Sequence, residues 1–405
     1  MTSKVLSLRR LFRIVNGGTP TPDAENWGGD IPWATPADFG ETFGPLRTTH
    51  RSLTRRGVDI GSTIVPKGAI LLSTRAPIGY VAISEVAMAF NQGCRALVPT
   101  ANVDSRFFGY QLESARESLQ AQGLGTTFLE LSSSTLAQIP VLAPSLEEQR
   151  RIADFLDSET ARIDGIADLR RRQYSTLEER RESYLRRTIL AIEAPPTQIK
   201  RLGVTVTTGP FGTQFSASDY VEGGVPMVNT AHIRDGVVTP DPRHAVSQET
   251  ATRLARHLLK AGDIIVARKR HLGRSALITN NQDGWLCGSD SIALSTTGGK
   301  LLPEFLACLL RSSYVRMQLL RNSLAATIPN LNERNLLELQ VPAASVRDQK
   351  SFVELIDASE AKNAALSSVM NRQVFLLAER RQALITAAVT GQIDVSTASG
   401  RGIEE

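Results

Sequence analysis

The residues best suited to chemistry in this chain are cations set among short polar loops. Arg268-Lys269-Arg270-His271 and Arg274 follow a short apolar run, and Arg75 and Arg95 occupy similar ground earlier in the chain. Lysine and arginine neutralise backbone phosphates, and a positioned arginine also takes O6 and N7 of guanine with both arms of its fork. Asn91-Gln92-Gly93 and Gly288-Ser289-Asp290-Ser291 add amides and hydroxyls suited to adenine edges or phosphate oxygens. The candidate DNA contacts are Arg75, Asn91, Gln92, Arg95, Thr126, Thr127, Arg268, Lys269, Arg270, His271, Arg274 and Ser289. Taken singly, each reads equally well as a solvated loop or turn residue. Their recurrence at corresponding places carries the reading.

Catalytic patterns are missing. The chain has no glycine-rich cofactor loop paired with an Asn/Asp-Pro-Pro-aromatic tetrad for adenine methylation, and no GxxxxGK[ST] to cradle a nucleotide phosphate. Glu360-Ala361-Lys362 matches part of a nuclease motif, but it sits in a stretch of alternating charge that reads as a solvated helix face. The five histidines, His50, His232, His244, His257 and His271, form no ligand-spaced pair with Cys or Glu, so no metal site is expected. Cys94, Cys287 and Cys308 are odd in number and lack CxxC spacing, which suits small reduced packing residues.

A chain of 405 residues, 41% of them hydrophobic, is too long for one ordinary core and implies two to three domains. No apolar run of about 18 residues is present to cross a bilayer. Met1 to Val15 carries Lys4, Arg9, Arg10 and Arg13 among short apolar pairs, unlike a secretory signal, so a cytoplasmic location is expected. The net charge of +5 suits an anionic partner without requiring one.

The elements that position the cations are written twice. Leu146-Glu147-Glu148-Gln149-Arg150 aligns with Val346-Arg347-Asp348-Gln349-Lys350, and Glu179-Arg180-Arg181 with Glu379-Arg380-Arg381, at one constant interval. Upstream, Gly125-Thr126-Thr127 answers Ala325-Ala326-Thr327. Lys67-Gly68-Ala69-Ile70-Leu71-Leu72-Ser73-Thr74-Arg75 parallels Lys260-Ala261-Gly262-Asp263-Ile264-Ile265-Val266-Ala267-Arg268, at a slightly shorter interval. Each half is thus a globular unit followed by a helix. Strands are predicted over residues 70–73 and 80–83, then 264–267 and 275–278, and helices over 107–121 and 303–321. Each unit is therefore a mixed α/β domain, and the fold class is α+β.

Ser145 and Ser345 stand as N-caps, with Glu148 and Asp348 three residues on. Beyond them, partly apolar heptad stripes run through Ile152, Leu156, Ile163, Ile166 and Leu177 in the first helix, and Phe352, Ile356, Leu366, Leu377 and Leu384 in the second. These are the candidate helix-pairing and subunit-docking positions. The alternative is that each helix packs only on its own domain. Pro195-Pro196 closes the first helix, and 396–405 is a small polar tail.

With the duplication, an ordered series of segments resembles the specificity subunit of type I restriction-modification systems. In the first half the series is Trp27-Gly28-Gly29-Asp30-Ile31-Pro32-Trp33, Ser73-Thr74-Arg75-Ala76-Pro77-Ile78-Gly79, Asn91-Gln92-Gly93-Cys94-Arg95 and 146–153. In the second it is Gly209-Pro210-Phe211-Gly212, Gly273-Arg274-Ser275-Ala276, Ile328-Pro329-Asn330-Leu331-Asn332 and 387–393. The resemblance implies two tandem target-recognition domains, 1–144 and 195–344. Each is followed by a long helix, 145–194 and 345–395, and the two helices pair as an antiparallel coiled coil that sets an unread spacer. It implies a non-catalytic chain that reads a bipartite, asymmetric site in double-stranded DNA, binds no cofactor and meets no membrane. Two modification subunits would dock on it and methylate adenine with S-adenosylmethionine, and restriction subunits would use ATP and Mg for translocation and cleavage. The start of the second helix, Val346-Arg347-Asp348-Gln349-Lys350-Ser351, departs from the Leu-Glu-Glu-Gln-Arg-Arg pattern of the first. Two other readings are a self-contained methyltransferase or nuclease, and a coiled-coil scaffold that binds protein.

Overall fold

The computed structural model describes residues 4–75, 77–123, 130–234, 236–268, 273–323 and 331–395. The chain forms two compact units, one of residues 1–171 and 371–405, the other of 172–370.

In the first unit the main sheet runs in the order Phe12–Asn16, Cys94–Pro99, Ile70–Ser73, Val81–Ser84, Gly44–Leu46. Side chains alternate across a sheet, and both faces here are covered, so Ile70-Leu71-Leu72 is an unbroken apolar run. Ile70, Leu72 and Leu97 pack under Phe107 and Phe108, while Leu71, Ala96 and Val98 pack with Phe90 on the other side. A second sheet, Arg51–Leu53, Trp27–Ala34, Met88–Phe90, Ile64–Val65, contains one parallel pair, Trp33 opposite Ala89.

The second unit repeats this plan. Its main sheet runs Val204–Thr208, Ser291–Thr296, Ile264–Ala267, Ser275–Leu277, and its second sheet again holds one parallel pair, Met227 opposite Leu286. In each unit a strand near its start pairs with the strand just before the long helix: Lys4–Ser7 with Pro140–Ala143, and Pro196–Gln198 with Gln340–Pro342. The two stretches expected as single helices are each broken once. Ser105–Ser114 gives way to Arg116–Ala121 at Ala115, and Pro303–Arg311 to Ser313–Ser323 at Ser312, whose backbone is extended.

The long helices are Leu146–Leu190 and Val346–Val389. Ser145 and Ser345 hydroxyls accept the N–H groups of Glu148 and Asp348 at 3.3 and 3.2 Å, satisfying one first-turn donor in each helix. Within the first unit Ile152 and Leu156 share a core with Ile385 and Val389, and Arg381 reaches Asp164. Within the second, Leu185 and Ile189 share a core with Phe352 and Ile356, and Arg181 reaches Glu360. In both units numbering falls along one helix as it rises along the other, so the paired segments are antiparallel.

The heptad stripe is buried only in part. Ile152, Leu156, Ile163, Phe352 and Ile356 are buried, and Leu384 packs partly buried on the core. Leu177 and Leu377 are half-buried. Ile166 and Leu366, expected on the seam, are exposed at 38% and 44%. The polar companions Gln173, Asn363 and Gln373 leave no continuous apolar strip between the buried ends.

Candidate nucleic-acid interface

Strand pairing brings the separated loop motifs together at one edge of each main sheet. In the first unit Arg95 lies opposite Asn16, and Cys94 opposite Ser73. The loops after Asn16, after Ser73 and before Cys94 therefore converge. Thr74 N–H donates to the Gly93 carbonyl at 2.8 Å. Gly17 lies so close to this group that an added Cβ would stand 2.1 Å from the Asn91 carbonyl oxygen, and only glycine fits.

The second unit builds the same corner. Thr208 lies opposite Ile292 and Ala267 opposite Ser291, Arg268 N–H donates to the Asp290 carbonyl at 2.9 Å, and a Cβ on Gly209 would meet the Gly288 oxygen at 1.8 Å.

Within these corners the candidate side chains differ in freedom. Arg95 is only 12% exposed, donating to Ser133 Oγ at 2.8 Å, to Glu130 at 3.0 Å and to the Gln92 and Cys94 carbonyls, so it builds the corner from within. Arg75 stands at the surface, with one Nη 2.8 Å from Glu130. The Arg75 hydrogen bond, with Arg95 behind it, holds the Glu130 carboxyl below its usual range. Asn91 Oδ1 caps the Gly93 N–H at 3.0 Å, and exposed Gln92 accepts from the Thr19 hydroxyl. Arg268 donates from Nε to the Leu331 carbonyl at 3.3 Å, and Ser289 is exposed.

Arg274 lies apart from the other candidates of its unit. It lines a cavity with Arg181, Arg311 and Glu360 rather than the loop corner, standing between the turn at Gly273 and the strand Ser275–Leu277. Thr126, Thr127, Lys269, Arg270 and His271 lie outside the described residues.

A basic strip that sequence reading passed over flanks the second sheet of the first unit. Arg47, His50, Arg51, Arg55 and Arg56 are all exposed, and the Arg51 guanidinium lies 3.5 Å from the centroid of the Trp27 ring, a cation–π contact. Five basic residues within ten positions, 47–56, were the available signal. His50 Nδ1 sits 2.6 Å from Asp38.

The three cysteines are buried and free, and burial pushes their thiols up, as packing residues require. Spacing suggested no metal ligands, yet the fold brings the ligand atoms of His232, Asp241 and His244 within 4.8 Å of one another. Asp241 is held by Arg243 at 2.8 Å, and His232 Nδ1 accepts the Asn229 N–H at 3.2 Å, so hydrogen bonding already accounts for two of the three.

The chain is thus a duplicated α+β protein, each unit with a glycine-tightened corner of arginine, amide and hydroxyl groups. Residues 2–171 match the type I restriction modification DNA specificity domain. The chain is 31% identical over 256 residues to the type I restriction enzyme MjaIX specificity subunit of Methanocaldococcus jannaschii, a match covering 58% of this chain and 58% of that relative. The chain thus spans under two thirds of that protein's length. Among solved structures, a chain from work on complex assembly and conformational transition of the type I R-M system aligns at TM-score 0.75 and 16% identity, over 96% of this chain and 98% of that one. The HsdS subunit of Thermoanaerobacter tengcongensis aligns at TM-score 0.51 and 15% identity, over 96% and 97%. These likenesses are of fold. Among the described residues no helix is long and apolar enough to cross a membrane.

Proposed function

We propose that this chain is the non-catalytic, cytoplasmic DNA-reading subunit of a type I restriction-modification complex. Its recognition domains, 1–144 and 195–344, each read one half of a bipartite, asymmetric target in double-stranded DNA. The observation that carries the reading is the duplicated corner: the same convergence of loops at the same sheet edge, with different side chains in each copy. A protein that reads two unlike half-sites needs that combination of conserved scaffold and diverged loops. The helices 145–194 and 345–395 set the unread spacer and dock two modification subunits, which use S-adenosylmethionine, and restriction subunits, which use ATP and Mg.

Replacing residues 200–340 by the corresponding segment of another family member, then mapping methylated adenines in cells that also make the partner subunits, tests this. One half-site should change and the other persist. If both change together, or no adenine is methylated with either segment, the two-reader proposal fails.

A further inference from the structure

Comparison of the two units exposes a second site, away from the loop corners. Gly79-Tyr80-Val81 and Gly273-Arg274-Ser275 are the same turn: both glycines have positive φ, 92° and 85°, and the carbonyls of Tyr80 and Arg274 accept from Ser73 and Ala267 respectively. Arg116 packs against Gly79 as Arg316 packs against Gly273, and Glu113 and Arg311 occupy matching places near the ends of Ser105–Ser114 and Pro303–Arg311.

In the first unit this place is neutralised. The Arg116 guanidinium lies 4.5 Å over the Tyr80 ring and donates to the Gly79 and Glu41 carbonyls. Arg381 is paired with Glu113 at 2.9 Å.

In the second unit arginine replaces both Tyr80 and Glu113, while Arg316 and Arg181 keep the places of Arg116 and Arg381. Three carboxylates are gained: Glu178 and Glu182 where the second helix has Ala378 and Gln382, and Glu360 where the first helix has Thr160. Glu360 accepts from Arg181 at 2.9 Å and lies 3.8 Å from Arg311. Glu178 also pairs with Arg181, and Glu182 accepts the Ser313 N–H. The acids are thereby engaged while cations remain. Among the described residues Arg311 Nε is buried with no hydrogen-bond partner, although one Arg311 Nη donates to Cys308 Sγ at 3.7 Å; Arg274 has no side-chain partner, and the Arg316 guanidinium donates only to the Arg311 carbonyl. These groups line one cavity of about 390 Å³. Gly236 keeps its wall open, since a Cβ there would stand 2.0 Å from an Arg311 Nη.

We propose that this cavity binds a phosphate-bearing anion. Guanidinium forks match phosphate oxygens in geometry and charge, and an anion between like-charged arginines supplies the partners that the fold withholds. The inference goes beyond the DNA-reading proposal and stands or falls separately from it.

Calorimetry and thermal melts of the full chain with inorganic phosphate, at ionic strength matched with chloride, test the site. Wild type should bind saturably. R274Y, which installs the first unit's residue, should weaken binding about ten-fold or more, as loss of a charge-assisted hydrogen bond implies. R274Y/R311E/E360T, which installs the first unit's residues at three of the differing positions, should abolish it. The single variant alters only a half-buried side chain without partners among the described residues, so it decides the matter even if the triple variant fails to fold. A duplex oligonucleotide that displaces phosphate would identify the ligand as a DNA backbone phosphate, and retention would identify a small phosphate compound. No saturable binding, or equal affinity in wild type and R274Y, overturns the proposal.

Discussion

The first unit and the second solve one packing problem with opposite charges. Where the domain of the first unit meets the second long helix, Glu113 and Arg381 are 3% and 6% exposed, and Glu113 also accepts the Phe43 N–H at 2.9 Å. Where the domain of the second meets the first helix, Arg311 stands in place of Glu113, and Glu360 lies between it and Arg181. The sheets and helix breaks persist through this reversal. The fold therefore depends on local compensation, not on the sign at any one position, and that leaves each domain free to diverge.

The buried pair should be the most sensitive point of the comparison. Arg381→Met leaves Glu113 desolvated and unpaired, a loss of about 3–5 kcal/mol. Its repeat equivalent Arg181 is two-fifths exposed, so Arg181→Met should cost about 1 kcal/mol or less. Adding Glu113→Gln to Arg381→Met should recover much of the loss. Denaturant unfolding read by hydrogen exchange in each unit separates the two sites, and equal costs would mean that the two pairs are energetically alike.

A second test asks whether the units are equivalent where they are not reversed. Gln149 is buried and holds two groups: it accepts the Asp104 N–H at 3.0 Å and donates to the Pro144 carbonyl at 2.9 Å, tying the helix start to the domain. Gln349 accepts the Leu302 N–H at 2.8 Å and donates to Ala344 and Lys300 carbonyls at 2.9 Å each. Gln149→Ala and Gln349→Ala each strand buried backbone groups, so each should cost about 1–3 kcal/mol, and the two should agree within about 1 kcal/mol. A larger gap in urea midpoints at constant m would show that the second helix start, with its altered sequence, is held differently.

These glutamines also mark what sequence could and could not disclose. Aligning 146–150 with 346–350 leaves Gln as the one identical residue, yet apolar periodicity, the main signal for helices, gives a polar residue no role. The central strands were readable because Ile70–Ser73 and Ile264–Ala267 are fully buried apolar runs. The second sheets were not, since pieces such as Ile64–Val65 and Leu286–Cys287 are too short to show a period. The corners were found as separate loops, and only the pairing of Arg95 with Asn16 and of Ala267 with Ser291 joins them. Arg274 lies apart from its corner for the same reason: a basic residue in line with others need not face the same way once a turn intervenes.

The smallest expected effect concerns a position where the units differ in titration rather than charge sign. Asp38 in the first unit and His232 in the second end the same short turn, each accepting the N–H of the residue three before it, Thr35 at 2.8 Å and Asn229 at 3.2 Å. Burial works to raise the Asp38 carboxyl, but hydrogen bonds from His50 and Thr35 outweigh it and hold the group below its usual 3.8. Burial, and then the neighbouring His244, lower the His232 imidazole below 6.5, against the opposing pull of Asp241 and Asp290. In both cases the unfolded chain binds the proton more tightly, so stability falls as pH falls through the interval between the ordinary and the lowered value. That interval opens at 6.5 for His232 and at 3.8 for Asp38. Acidification from about pH 7.5 to about pH 5 should therefore loosen the second unit while the first holds, and hydrogen exchange at the two sheets would show it. His257, also lowered by burial, contributes to the same loss, so His232→Asn should reduce the acid sensitivity of the second unit without removing it. Loosening of both units at one pH, or an unchanged profile in His232→Asn, would show that the buried imidazole does not set the difference between them.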